Sequence, residues 1–189
     1  MAILKIARMG HPVLAEMCGP VRDPTGAEVR RLIADMIETM EDANGAGLAA
    51  SQVHVPLRLV IFQAPAGRND GRIDESESFD HTAPLTVLIN PVIEVVDSTL
   101  EGGWEGCLSV PGLRGWVERP RHIRYSGVDA EGRRIHRSAK GFHARVVQHE
   151  CDHINGVLYP QRMRDLSKLI FETEFRHWLD QQEGKRAAQ

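Results

Sequence analysis

The densest group of chemically active side chains in the sequence lies at residues 148–156, which read QHECDHING. His149 and His153 are four residues apart, so on a helix both imidazoles project from one face about one turn apart. That spacing allows two ring nitrogens to bind one metal ion. Glu150 follows the first histidine and can act beside the metal as a general base, as in H-E-x-x-H metallohydrolases. The stretch therefore predicts a metal site with an adjacent base.

Two neighbours on the same stretch are predicted to serve the fold. Cys151 lies about 200° around a helix from His149, so its thiol should point into packing, where buried thiols behave as small hydrophobes. Asp152 also lies off the metal face. We interpret it as a buried partner of a cation such as Arg119.

A candidate third ligand lies upstream, at Cys107 in the segment EGCLSVPG (105–112). A thiolate is a strong ligand for borderline metals, and a Cys-His-His set leaves the fourth tetrahedral position for water. The alternative is a metallopeptidase. Its long motif requires a histidine at position 159, where this chain has Tyr159. A downstream glutamate, Glu172 or Glu174, would be the other possible ligand, but both lie in a charged stretch typical of a solvated face.

Three helices are predicted, the first of them from the three- and four-residue spacing of its apolar residues. The first covers 26–43, with Thr25 and Glu28 as its capping box. The second covers 141–154 and carries the histidines. The third covers 165–181, followed by a flexible tail at 183–189. Its inward side chains are expected to be Leu166, Leu169, Ile170 and Trp178.

Runs rich in β-branched residues predict strands at 57–62, 85–90 and 92–96, and a hairpin that joins 122–129 to 133–136. The polar, glycine-bearing stretch 65–82 is predicted to be a surface loop. Strands and helices that do not alternate regularly favour an α+β fold. We expect antiparallel or mixed sheets around a central metal-binding helix, with an N-terminal and a C-terminal helix.

The composition fits one domain covering 1–189, because 42% hydrophobic residues can build a core in a chain of this length. A net charge of −3 gives no indication of nucleic acid or an anionic membrane as partner. No window approaches 18 apolar residues, and the N-terminus lacks a signal-peptide pattern. Three sparse cysteines favour a reducing compartment, so we expect a cytoplasmic protein.

Three segments together resemble the signature motifs of peptide deformylases, in order and in spacing: GAGLAASQ (45–52), EGCLS (105–109) and QHECDH (148–153). The segments GHPVL, LINPVIE and GLRGWVERP also fit, so the resemblance covers most of residues 5–165. It implies an enzyme that removes the formyl group from the N-terminal formyl-methionine of new polypeptides in bacteria and in organelles of bacterial descent. The metal it implies is Fe²⁺, replaceable by Ni²⁺, Co²⁺ or, with less activity, Zn²⁺.

The resemblance also implies roles for individual residues. The metal ligands would be Cys107, His149 and His153, and Glu150 would be the general base and acid. The Gln52 amide and the backbone N–H of Leu108 would form the oxyanion hole. The substrate-binding residues would be Gly45, Gly47 and Arg114, together with Phe142 and Val146, for which helix geometry favours a methionine pocket and core packing about equally.

The expected partners are formyl-methionyl nascent peptides, with the ribosome near its exit tunnel as a candidate. Neither nucleic-acid specificity nor a membrane is expected. The expected state is a monomer or weak dimer.

Overall fold

In the computed structural model of the chain, residues 2–65 and 81–187 are described, with backbone alone for 182–187. Their helices and strands follow in this order: α1 (Ala27–Asp42), β1 (Gly47–Ala49), β2 (Leu59–Ala64), β3 (Ala83–Cys107), β4 (Val110–Val128), β5 (Arg134–Lys140), α2 (Gly141–His153), β6 (Leu169–Phe171) and α3 (Phe175–Ala187). Most of the predicted loop 65–82 lies outside the described residues, as do positions 188 and 189. No helix in the described ranges is long and apolar enough to cross a membrane.

Antiparallel pairing joins the strands into one sheet in the order β1-β2-β3-β4-β5, with β6 added to β4. The strands predicted at 85–90 and 92–96 are one strand, because the Asn90-Pro91 break is a bulge. Asn90 has a φ of 52°, and the register with β4 shifts between Ile89 and Val92. At the far end of this long hairpin Cys107 pairs with Val110, so Leu108 and Ser109 form the turn.

Two hydrophobic cores lie on opposite faces of the sheet, one covered by α1 and the other by α2. Alternate residues of a strand point to opposite faces. Val60 and Phe62 of β2 lie in the core that α2 covers, whereas Leu59 and Ile61 lie in the core that α1 covers. This explains why the first four residues of β2 are all apolar instead of alternating with polar ones. Burying each such side chain contributes about 1.5–3 kcal/mol, and this packing holds α2 against the sheet.

Helix α1 agrees with its prediction within one residue at each end, but its predicted cap is wrong. Gly26 occupies the N-cap and makes no side-chain cap bond. The Thr25 hydroxyl donates instead to Asp23, 3.1 Å away, so the capping box with Glu28 does not form. The helix ends at Asp42, and two residues later Asn44 turns the chain with a φ of 51°.

The predicted C-terminal helix begins ten residues late. Residues 169–171 form β6, which pairs with Leu113–Gly115 of β4, and the helix starts at Phe175. A short apolar run such as 169–171 is compatible with either a strand or a helix. Here it pairs with an edge of β4 and therefore forms a strand. Leu166 is 66% exposed and does not point inward as predicted. The backbone of residues 183–187 is helical, so most of the predicted tail continues α3.

Gly156, which follows α2, offers a test of how firmly this helix is anchored. Its φ is +73°, and an added Cβ would lie 2.6 Å from the carbonyl oxygen of Ala15. Gly112 has a similar φ of +77° but nothing within 4 Å of an added Cβ. We expect Gly112→Ala to lower the free energy of unfolding by about 1 kcal/mol through strain alone. Gly156→Ala should lower it by about 2–4 kcal/mol, because backbone cannot move aside cheaply.

Urea unfolding of the two variants measures this difference. Equal costs would show that the contact with Ala15 relaxes freely and that the end of α2 is not anchored.

Candidate metal centre

The side chains of Cys107, His149 and His153 converge between the β3–β4 turn and α2. Their ligand atoms all lie within 4.8 Å of one another, and Cys107 Sγ is 3.3 Å from His153 Nε2. Two donors that bind one tetrahedral ion at about 2.0–2.3 Å lie roughly 3.5 Å apart. The set therefore fits a divalent cation, and one thiolate with two imidazoles suits a borderline metal with an open fourth position.

His149 is oriented by a carboxylate behind it. Its Nδ1 lies 2.8 Å from Glu105 Oε2, which leaves Nε2 to face the candidate metal position. A carboxylate that binds the outer nitrogen of a ligand histidine fixes its tautomer and raises its basicity. Glu105 is only 5% exposed.

Glu105 is itself held by two cations. Its oxygens accept from Arg119 Nε at 2.6 Å and Nη2 at 2.9 Å, and from Arg145 Nη1 at 2.8 Å. Burial would raise the pKa of Glu105, but the hydrogen bonds from Arg119 and His149 outweigh it and hold the pKa well below its usual range. Arg119 Nη1 also donates a hydrogen bond to Asp152 Oδ2 at 2.8 Å, which confirms the predicted pairing of these two residues.

Glu150 follows His149 on α2 and is 3% exposed. Its Oε2 has no hydrogen-bond partner among the described residues. Burial, with the negative charge of Glu105 adding to it and His149 and Arg119 opposing, raises the pKa of Glu150 to about 7. A carboxyl group with that pKa can accept and return a proton near neutral pH. Cys151 packs in the core under the sheet, as its position on the helix predicted.

Strand β1 runs directly past Glu150. A Cβ on Gly47 would overlap the Glu150 side chain, so only glycine allows this close approach. A Cβ on Gly45 would lie 3.0 Å from Leu108 Cδ1, which places the start of this segment against the hairpin turn. Within the described residues β1 pairs only with β2, so its other edge carries no strand.

Gln52 lies in the 3₁₀ turn Ala50–Val53, directly after β1, and is 1% exposed. Its Nε2 is 3.6 Å from Cys107 Sγ and 3.0 Å from Ser109 Oγ. The side-chain amide thus reaches the turn that also contains Leu108. The structure brings Gln52 and this turn together beside the three candidate ligands.

The remaining predicted site residues are placed less centrally. The Arg114 guanidinium pairs with Glu172 at 2.5 Å and lies over the Phe175 ring, 5.5 Å from its centroid, so the C-terminal segment holds it. Val146 is buried in the core cluster that α2 covers. Phe142 packs against the same cluster.

Among the described residues, neither metallopeptidase ligand set forms. Tyr159 is 1% exposed and stacks on His149, with ring centroids 6.2 Å apart. Glu172 is engaged by Arg114, on the exposed surface. The third donor beside the two histidines is Cys107.

Comparison with known proteins agrees with this geometry. The family described as polypeptide deformylase matches residues 3–169. The chain belongs to the polypeptide deformylase family. It is 56% identical to "Peptide deformylase 1" of Bordetella pertussis over 163 residues, 86% of this chain and 89% of the relative. It is 50% identical to "Peptide deformylase 2" of Ralstonia nicotianae over 169 residues, 89% of this chain and 92% of the relative.

Solved deformylase structures share the fold. The enzyme of Ehrlichia chaffeensis aligns with a TM-score of 0.79 at 31% identity, covering 88% of this chain and 90% of that one. The actinonin-bound class I type b enzyme of Acinetobacter baumannii aligns with a TM-score of 0.72 at 32% identity, covering 86% and 99%. These matches show the α+β deformylase fold and identify this chain as a metallohydrolase of that family.

The structure adds three side chains that the sequence reasoning did not single out. Glu105 and Ser109 are the first and last residues of the EGCLS segment, whose motif predicted roles only for Cys107 and Leu108. Arg145 lies one helical turn before His149, on the same side of α2. No pattern in the sequence indicates that its cation reaches Glu105.

Glu105→Gln tests the support of His149. The change keeps the shape, removes the charge and turns an amide donor toward the arginines. We expect metal affinity to fall by about 10–100-fold, as for other partners of ligand histidines. Unfolding free energy should fall by about 3–5 kcal/mol, because Arg119 loses a buried partner. Chelator competition with Co²⁺ and urea unfolding measure the two effects.

Glu118→Gln is the matched control, since Glu118 forms an exposed ion pair with Arg164 at 3.1 Å. That pair should contribute less than about 1 kcal/mol. Unchanged metal affinity in Glu105→Gln would contradict the supporting role of Glu105.

Gly47→Ala tests the close approach between β1 and Glu150. The added methyl group would occupy the space of the carboxylate, so Glu150 must move away from the position it needs. A displacement on the order of 1 Å costs about 10²-fold in rate. We expect kcat for deformylation to fall by that factor while metal affinity is retained. Full activity in this variant would show that Glu150 tolerates displacement.

Proposed function

We propose that this chain removes the N-terminal formyl group from formyl-methionyl peptides and releases formate, using the residues described above. The observation that carries the proposal is the convergence of Cys107, His149 and His153 beside Glu150, a buried carboxyl group whose Oε2 has no hydrogen-bond partner among the described residues. Family membership supports the same reaction.

In this proposal Cys107, His149 and His153 hold a divalent cation, for which Fe²⁺ is the proposed native choice and Ni²⁺, Co²⁺ or Zn²⁺ are substitutes. When bound, the cation activates a water molecule and polarises the formyl carbonyl. Neutral imidazoles are needed for this role. Burial lowers the pKa of His153 well below its ordinary value, so this imidazole is neutral. Although burial opposes it, hydrogen bonds to Cys107 and Glu105 raise the pKa of His149 well above its ordinary value, so a bound cation would have to displace the proton from His149.

Glu150 moves the proton. Its carboxylate takes a proton from the attacking water and delivers it to the amine nitrogen that leaves. The position of this buried carboxyl group directly after His149 on α2 supports the assignment. Such a base typically contributes about 10²–10⁴-fold to the rate.

The oxyanion hole consists of the Gln52 amide and the backbone N–H of Leu108. Negative charge develops on the formyl oxygen as the carbonyl becomes tetrahedral, and donors fixed in advance stabilise it without reorganising. The proposal is supported by the position of Gln52 Nε2 next to the turn that carries Leu108.

The peptide binds along the edge of β1 that carries no strand, where Gly45 and Gly47 allow its backbone to approach closely. Phe142 and Val146 line the methionine pocket. Main-chain pairing of this kind is indifferent to sequence, which suits an enzyme that acts on many nascent chains. We assign the protein to the bacterial cytoplasm, where formylated nascent chains arise.

Formate release from a formyl-Met peptide tests the reaction, with protein purified without oxygen and peptide-bond cleavage followed in parallel. Glu150→Gln, which keeps the shape and loses the base, should lower kcat by about 10²–10⁴-fold with the metal still bound. Actinonin, bound in the related enzymes of Acinetobacter baumannii and Synechococcus elongatus, should compete with the peptide.

Peptide-bond cleavage without formate would overturn the proposal in favour of a metallopeptidase. Formate release that survives in Glu150→Gln would leave the reaction in place but remove Glu150 from it.

A further inference from the structure

Ser109 is a fully buried serine to which the proposed reaction assigns no role. It is the second residue of the turn between β3 and β4. Its Oγ lies 3.0 Å from Gln52 Nε2 and accepts a hydrogen bond from it. A buried hydroxyl therefore contacts the amide that is proposed to stabilise the formyl oxygen.

The orientation of the Gln52 amide follows from its other end. Its oxygen accepts from the backbone N–H of Ala49 at 2.8 Å. A backbone N–H can only donate, so the amide oxygen must face Ala49 and the NH₂ group must face the hairpin turn. The two amide protons are thereby directed at Ser109 and Cys107.

These two contacts differ in strength. The bond to Ser109 Oγ, at 3.0 Å, is an ordinary N–H···O hydrogen bond, whereas the contact with Cys107 Sγ, at 3.6 Å, is with a sulfur whose lone pairs the proposed metal would share. Ser109 thus holds one proton firmly. The second amide proton faces this sulfur, beside the candidate metal position. There the formyl oxygen can replace the sulfur as its hydrogen-bond acceptor.

We propose that Ser109 is a positioning residue that fixes one proton of the Gln52 amide so that the other faces the formyl oxygen. The inference rests on the proposed function, because it requires Gln52 to act in the oxyanion hole. A neutral hydroxyl suits the task. A carboxylate would hold the amide more tightly but would place negative charge beside an oxygen that becomes negative itself.

The backbone around both residues is fixed by the N-terminal segment. Ala7 N donates to Gln52 O at 2.7 Å, and Met9 N donates to Ser109 O at 2.8 Å. The backbone N–H of Ser109 also contacts Cys107 Sγ at 3.4 Å. The hydroxyl and the amide are therefore held at a set distance before substrate arrives, which is the condition for electrostatic preorganisation.

A double-mutant cycle tests the inference: Ser109→Ala, Gln52→Ala and both together, each loaded with metal and assayed on a formyl-Met peptide. Gln52→Ala should lower kcat by about 10²–10³-fold, the usual effect of removing an oxyanion donor. Ser109→Ala should lower kcat by about tenfold and leave KM within about twofold, since it only misaligns that donor. In the Gln52→Ala background the same change should cost less than about twofold.

Thr39→Val is the matched control. Thr39 is 1% exposed and its hydroxyl also accepts a hydrogen bond, from Leu4 N at 2.9 Å, but it lies on α1. We expect it to lower the urea midpoint without changing kcat. Metal affinity of Ser109→Ala, measured by chelator competition, should stay within about twofold of the parent, because the backbone N–H to the sulfur remains.

Each deviating outcome overturns the inference in a distinguishable way. Equal losses from Ser109→Ala in both backgrounds, or a parallel loss of metal affinity, would make the hydroxyl a structural support. Full kcat in Ser109→Ala with reduced kcat in Gln52→Ala would overturn the inference and leave the proposed function intact. Full kcat in Gln52→Ala would remove the proposed oxyanion role, and the inference with it.

Discussion

The buried ion pair between Glu105 and Arg119 is the interaction on which the arrangement of the site depends. It joins the β3–β4 hairpin, which carries Cys107, to α2, which carries both histidines, because Glu105 also binds His149 and Arg119 also binds Asp152. Desolvating such charges costs several kcal/mol for each ion, and only complete pairing repays it. The ion pair fixes the relative position of the three candidate ligands, which come from a hairpin and a helix far apart in the sequence.

The pairing is close to complete. The four Glu105 contacts use both of its oxygens, and Asp152 accepts from Arg162 as well as from Arg119. An ion network of this kind tolerates one arrangement and penalises others, because any shift of the hairpin along α2 would leave a buried charge unpaired. The distance from Cys107 to the two histidines is therefore fixed by charges that do not themselves bind the metal.

The sequence predicted what depends on local periodicity and missed what depends on distant backbone. The limits of α1 followed from apolar spacing, and the end of α2 followed from the Asn155-Gly156 stop. The position of Asp152 on the helix predicted that it lies off the metal face and pairs with a buried cation. The late start of α3 could not be foreseen, since β6 forms only where the β4 edge is available at Leu113–Gly115. The role of Glu105 could not be predicted either. It depends on a contact between a hairpin and a helix, and the two residues that make it, Glu105 and His149, are 44 positions apart in the sequence.

The same buried region sets two carboxyl groups to opposite tasks. Glu105 and Glu150 are both almost fully buried, so desolvation favours the protonated form of each. Arg119, Arg145 and His149 surround Glu105 with donors, and it stays ionised. Glu150 keeps one oxygen without a partner among the described residues, and its pKa rises to about 7. A pair of carboxyl groups separated in this way by environment is how one site holds a fixed anion for structure and a titratable group for proton transfer. The division requires that the arginines reach Glu105 and not Glu150, and the hydrogen bonds of Arg119 and Arg145 in this region go to Glu105.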